Sequence, residues 1–250
     1  MGFTVENGQQ QPDTEPQINQ LFNQLRQHRI LIILDDVQAV FSSGKLAGQY
    51  KPGYEDYQLF FHQITEVNHN SCLILISSEK PREIAELEKL NLPLRSLVLG
   101  SLGVAAKDVL TSHQLLDEEA WEPLIDTYQG NPLWLNITAP IIRELFGGRV
   151  AEFLQYDMPI LDESLCWRLE QKLQRLSELE MSLIVQLAKE TEATALSEIS
   201  RQIKLSHSDL IKGMKSLVMR FLLAPQEPGK PTFFALNPVV AQYVRNRHFP

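Results

Sequence analysis

Apolar residues along this chain fall into two kinds of pattern. Short unbroken runs occur at Ile30–Leu34 (ILIIL) and inside Ser71–Ser78 (SCLILISS). Runs this short fit strands buried on both faces of a parallel sheet, where side chains pointing either way must be apolar. Leu94–Leu99 (LRSLVL) predicts a third strand. Elsewhere apolar positions recur every three to four residues. Ile18, Leu21, Phe22 and Leu25 share one helical face, Tyr54–Val67 predicts a second amphipathic helix, and Pro81 opens a third that runs to about Leu90. Phe41–Gly53 reads as loop. Strand and helix alternating in this way predict an α/β fold with βαβ units and a parallel sheet over residues 17–100. Residues 1–16, rich in Gln, Pro and acidic side chains, predict a disordered lead.

After Gly100 the strand pattern stops. Helical periodicity covers Val104–Leu116, Asp117–Tyr128, Pro132–Leu145 and Arg149–Tyr156, which predicts a helical subdomain over residues 101–160. Residues 161–250 open on a helix at Leu161–Leu173. Ser177 with Glu180 and Ser206 with Asp209 have the spacing of helix-capping boxes, and a short helix is expected between them near Ser197–Lys204. Beyond them Phe221–Ala224 and Thr232–Leu236 flank the turn-rich PQEPGKP. Three helices followed by a two-strand wing predict a winged-helix domain.

Composition changes this picture little, but charge adds to it. The chain is 44% hydrophobic and 22% charged, ordinary for a soluble globular protein, with a net charge of −8. From Leu176 onward 9 Lys+Arg stand against 7 Asp+Glu, whereas the first 175 residues hold 14 against 24. The overall balance argues against nucleic-acid or anionic-membrane partners. In the last quarter His207, Lys212, Lys215 and Arg220 give only a modest basic face, so intramolecular packing is favoured over DNA contact. No apolar run approaches the roughly 18 residues of a membrane span, and the polar N-terminus has no signal-peptide core. A cytoplasmic protein is expected. Cys72 reads as a core residue, two cysteines suit a reducing compartment, and the six histidines lack metal-ligand spacing.

Three segments carry candidate chemistry. Asp35 and Asp36 follow the first strand directly, where open α/β sheets place ligands and where nucleoside-triphosphatases of the P-loop kind hold Mg²⁺. They equally suit a solvated turn. Ser77 and Ser78 end the second strand, either to contact a phosphate or to cap the following helix. Gln129–Leu133 (QGNPL) predicts a tight helix–helix corner, with Gly130 at C′ and Pro132 at N1, that could also pack against a nucleotide base. No G-x-x-x-x-G-K-[ST] occurs in the chain, and Gly44-Lys45 lacks the residues to be one.

An apolar strand ending in Asp-Asp, a strand ending in Ser-Ser-x-Lys-Pro, a helical pair, Gly-x-Pro-Leu and a winged helix, in that order, resemble the NB-ARC (AP-ATPase) module of STAND-class signalling ATPases, above all cyanobacterial members with downstream WD repeats. The resemblance covers residues 17–248. It implies ADP or ATP with Mg²⁺ as ligands, Asp35 at the metal and Asp36 as the catalytic acid that helps polarise water. It further implies Gly130, Pro132 and Leu133 against the adenine, and Asn237 where many members carry a phosphate-reading His. Many members also carry Arg where Ser78 stands. The phosphate loop and two strands before the acidic one are missing, as if the chain began partway through the domain. Loss of the loop amides and Lys removes the strongest electrostatic aid to phosphoryl transfer, so a hydrolysis-defective module is expected. The gap in the sheet also predicts exposed edges and either self-association or a protein partner supplying a strand; Gly2–Val5 is too short to substitute. The alternatives are a nucleotide-free interaction scaffold and a winged-helix DNA-binding module.

Overall fold

The computed structural model describes residues 14–156, 159–190, 192–226 and 233–249. Most of the predicted lead, Gly2–Val5 included, and most of the tip between the last two strands lie outside them. The chain forms two units, one of residues 1–42 and 48–96 and the other of residues 43–47 and 97–250.

In the first unit, α1 (Thr14–Gln27) leads into β1 (Leu31–Leu34), a 3₁₀ turn (Val37–Val40), α2 (Asp56–Glu66), β2 (Cys72–Leu75) and α3 (Arg82–Leu87). The strands pair in parallel, Leu31 opposite Cys72 through Leu34 opposite Leu75. Ile32, Leu34, Leu73 and Leu75 turn inward onto Phe22, Leu25, Phe41, Phe61, Ile64 and Ile84. The other face is bare, which corrects the expectation of burial on both sides. Leu31 is 59% exposed, Ile33 54%, Ile74 43% and Ile76 48%. Cys72 is exposed with them, not in the core. Among the described residues of this unit, the helices that pack on the strands do so from one side, which leaves half of each apolar run exposed. Leu94–Leu99 forms no strand, and Leu97 and Leu99 are 84% and 85% exposed. The outer edge of β2 has no strand partner among the described residues, and Leu94–Leu99 does not pair with it.

The second unit is mainly helical. Short 3₁₀ turns at Gly103–Ala105 and Glu118–Ala120 precede α4 (Ala106–Ser112) and α5 (Trp121–Thr127). Then come α6 (Pro132–Leu145), α7 (Val150–Phe153), α8 (Glu163–Leu173), α9 (Glu178–Leu187), β3 (Thr194–Ala195), α10 (Leu196–Gln202), α11 (His207–Met219), β4 (Leu223–Gln226), β5 (Phe233–Leu236) and α12 (Pro238–His248). The three strands form an antiparallel sheet in the order β3-β5-β4. One hydrophobic core, with Leu110, Leu135, Ile142, Leu165, Leu183, Ile184, Leu217 and Val239 among its members, runs through the unit.

Ser177 and Glu180 cap α9 reciprocally, as expected. Ser206 accepts from the Asp209 amide at the start of α11. Glu180 does more than cap. Its fully buried carboxylate accepts from Ser216 Oγ at 2.5 Å and from Arg220 Nε at 2.8 Å. Ser216 Oγ in turn accepts from the Ala47 amide at 2.6 Å, and Arg220 donates to the Lys45 carbonyl at 2.7 Å. Residues 43–47 are thereby held against α11 by buried polar groups. Arg220, expected on a basic face, is 4% exposed and faces inward.

Candidate functional site

The predicted site residues gather at two places, one in each unit. In the first unit Asp35 and Asp36 leave the end of β1, both exposed. Asp35 Oδ1 accepts from the Asp36 amide at 2.8 Å. Asp36 adopts φ 57° and ψ 38°, a left-handed conformation that Asp tolerates better than most residues. That turn brings the Val37 amide to the Ile76 carbonyl at 3.1 Å, tying the ends of β1 and β2 together. Gln38 completes the link. Its amide nitrogen donates to Asp36 Oδ1, while its oxygen accepts from Ser77 Oγ at 3.1 Å and the Ser78 amide at 3.0 Å. The acidic pair and the serine pair are therefore one cluster at the carboxyl end of a parallel strand pair. Gln38 has no motif of its own, and no sequence signal marked it.

Behind this cluster the single Ser77 hydroxyl proton is shared between Gln38 Oε1 and the nearer Glu79 carbonyl, at 2.6 Å, and the buried Glu79 carboxylate accepts from the Gly48 amide at 2.6 Å. Tyr50 donates to the buried Glu83 at 2.9 Å. Burial, reinforced by the Glu83 charge and this hydrogen bond, pushes the Tyr50 phenol far above its usual range, so it stays a neutral donor. Two buried acids thus brace the loop after residue 47. Both were unremarked in the sequence, because nothing there separates a bracing Glu from a solvated one.

In the second unit the QGNPL segment is the tight corner expected, with one correction. Gln129, at φ 51°, takes C′, and Gly130, at φ 55°, follows as C″. The Gly130 amide donates to Ile125 at 2.7 Å and the Gln129 amide to Asp126 at 3.0 Å, the paired bonds of a Schellman end. Asn131 caps α6 by accepting from Leu133 and Trp134, with Pro132 at N1. Pro132 and Leu133 are exposed. Beneath the corner, the buried Tyr128 hydroxyl bonds to the Ile160 carbonyl at 3.2 Å and accepts from its amide at 3.1 Å. Asn237 meets this corner. Its oxygen caps α12 by accepting from Val239 and Val240, and its amide nitrogen donates to Gln129 Oε1. Gly130, Pro132, Leu133 and Asn237 therefore stand together. Both polar atoms of the Asn237 side chain are engaged.

No protein-family profile matches the chain. Over 242 residues it is 35% identical to an uncharacterized WD repeat-containing protein of Nostoc sp., a match that covers 92% of this chain but 18% of that protein. Among solved structures it is similar to a Walker-type ATPase of Pyrococcus abyssi, with a TM-score of 0.55 and 17% identity over 92% of this chain and 67% of that one. The fold is therefore ATPase-like: a mixed, largely helical chain with small sheets. No helix among the described residues is long and apolar enough to cross a membrane.

Proposed function

We propose that the chain is an NB-ARC-type ADP/ATP-binding module of a STAND-class signalling switch, one that does not hydrolyse nucleotide by itself. The observation that carries this reading is the Asp35–Asp36–Gln38–Ser77–Ser78 cluster at the carboxyl ends of two parallel strands, in a fold similar to that of a Walker-type ATPase. Asp35 would hold the metal and Asp36 would orient water, with Ser77 and Ser78 placed to face phosphate. Pro132 and Leu133, exposed beside the rigid Gly130 turn, offer an apolar surface to a base. Asn237 reaches a phosphate only by releasing Gln129.

Among the described residues no group of three His, Cys, Asp or Glu could hold a resident metal. The acidic pair fits the other mode of Mg²⁺ binding, in which one or two carboxylates are completed by water and substrate phosphates. Mg²⁺ supplies charge neutralisation at the phosphates when it arrives with the nucleotide. The last strands and helices are read as a winged helix serving intramolecular packing, which the inward-facing Arg220 supports. The Nostoc relative's WD repeats support a place in a larger interaction protein.

The test is a titration with Mg-ADP followed by backbone NMR. Shifts at millimolar nucleotide should cluster at residues 35–38, 77–78 and 129–133 and weaken in Asp35→Ala, while calorimetry finds no micromolar site. Silence at all three segments would remove the nucleotide reading. Tight binding indifferent to Asp35→Ala would reassign the metal acid.

A further inference from the structure

The C-terminal ends of α8 and α12 and the start of α9 surround a cavity of about 270 Å³. Its floor is apolar: Leu173 and Val244 are buried there and Met181 is half-buried. Its rim is polar, carrying Glu170, Gln174, Tyr243, Arg247 and His248. The volume lies just under the roughly 300–1,000 Å³ of most small-molecule sites, so it suits a small body only. Asn237 and the Gly130 corner meet at the other end of α12, which makes this site separate from the one read as nucleotide-binding.

Hydrogen bonding along the rim selects the ligand. Glu170 is the one acid among the described residues that line the cavity, and three donors already reach it. Gln174 Nε2 donates to its Oε1 at 3.0 Å, and the Tyr243 hydroxyl and Arg247 Nη1 both donate to Oε2. Arg247 Nη1 also donates to the Tyr243 oxygen at 3.2 Å. The acid therefore has little capacity left for a cationic ligand, while its contacts hold the guanidinium in place at the rim. Arg247 Nε and Nη2 have no hydrogen-bond partner among the described residues, and the exposed His248 lines the same rim. A fixed guanidinium with unused N–H groups suits a carboxylate, which it can meet through two parallel hydrogen bonds. We propose that this cavity binds a small monocarboxylate with an apolar body, an aryl- or branched alkyl-carboxylate. The apolar part covers Leu173, Met181 and Val244. The carboxylate pairs with Arg247, and His248 serves as a second donor.

The whole chain, its methionine methyl groups isotopically labelled, is titrated with 3-phenylpropionate, 3-phenylpropanamide and 3-phenylpropylamine. The three probes share one apolar body and differ in charge. Loss of its signal in Met181→Leu identifies the Met181 methyl. The acid should bind saturably, one to one, and move that signal, with an affinity of about 1 mM, the strength expected of about eleven non-hydrogen atoms. The amide should bind about tenfold more weakly, for want of the charge-assisted pair, and the amine no better than the amide. Arg247→Gln should bring the acid's affinity down to that of the amide and leave the amide's own affinity as it was. That unchanged value also shows that the cavity has kept its shape. A Met181 methyl that stays in place at about 10 mM acid overturns the proposal, because the cavity is then no site for this class. So does an amide or amine that binds the unmodified chain as tightly as the acid, a comparison that needs no variant. Acid binding that survives Arg247→Gln overturns it too, as does an equal loss of acid and amide, which would make Arg247 a structural residue.

Discussion

Gly130 shows how much a single residue can fix. At φ 55° a Cβ would meet Ser101 Oγ at 2.0 Å, Ser101 Cβ at 3.0 Å and the Leu102 nitrogen at 3.3 Å. The hydroxyl can rotate away, but the other two atoms cannot. Gly130→Ala should therefore cost about 1–3 kcal/mol, read from the denaturant midpoint. Gly130→Ala with Ser101→Ala should recover only part of it, and a full recovery would mean that the hydroxyl alone caused the loss. This corner was legible in the sequence because Gly and Pro carry strong conformational preferences at fixed offsets. Gln129 at C′ was not, since a left-handed Gln has no compositional signature. Gln38 was hidden for another reason: its partners Ser77 and Ser78 lie 39 and 40 residues away.

Helices and strands differ in how far their surroundings can be read. Helical periodicity located α1, α2, α6, α8, α9 and α11 because a helix makes its own hydrogen bonds and needs only one covered face. The apolar runs located β1 and β2, yet burial of a strand depends on what lies on both sides of the sheet, which no run of residues encodes. Leu94–Leu99 failed for the same reason, having the composition of a strand but no paired neighbour. The short α3 is flanked by a local ion pair between Glu88 and Lys80. Burial pushes the Glu88 carboxyl up, but hydrogen bonds from Lys80 and Ser96 and the Lys80 charge outweigh it and hold the group below its ordinary 4.5. The folded state thus favours the ionised form. That stabilisation is complete above pH 4.5 and fades as the pH falls through the lowered value. Urea midpoints of the chain and of Glu88→Gln, compared between about pH 3 and about pH 7, should differ most at neutral pH and converge in acid. A constant gap would show that the carboxylate's charge is not what matters.

At the scale of the whole molecule, the buried Glu180–Arg220 pair tests how the second unit is held. Glu180→Ala leaves the Arg220 guanidinium buried without its carboxylate and should cost about 3–5 kcal/mol. Replacing both residues with Met should cost less than the single change, because no charge is stranded. Equilibrium unfolding of the two variants decides it, and a double variant as unstable as Glu180→Ala would mean that the pair itself contributes net stability.

The five residues 43–47 set a rule for anyone dividing this protein. They lie in the middle of the first unit's sequence and belong to the second. A gene trimmed to residue 97 onward would encode nearly all of the second unit, yet it would strip Ser216 Oγ of the buried Ala47 amide and Arg220 of the Lys45 carbonyl. No single cut yields two intact halves. A contiguous piece holding the first unit carries residues 43–47 with it, and a contiguous piece holding only residues 97–250 leaves them behind.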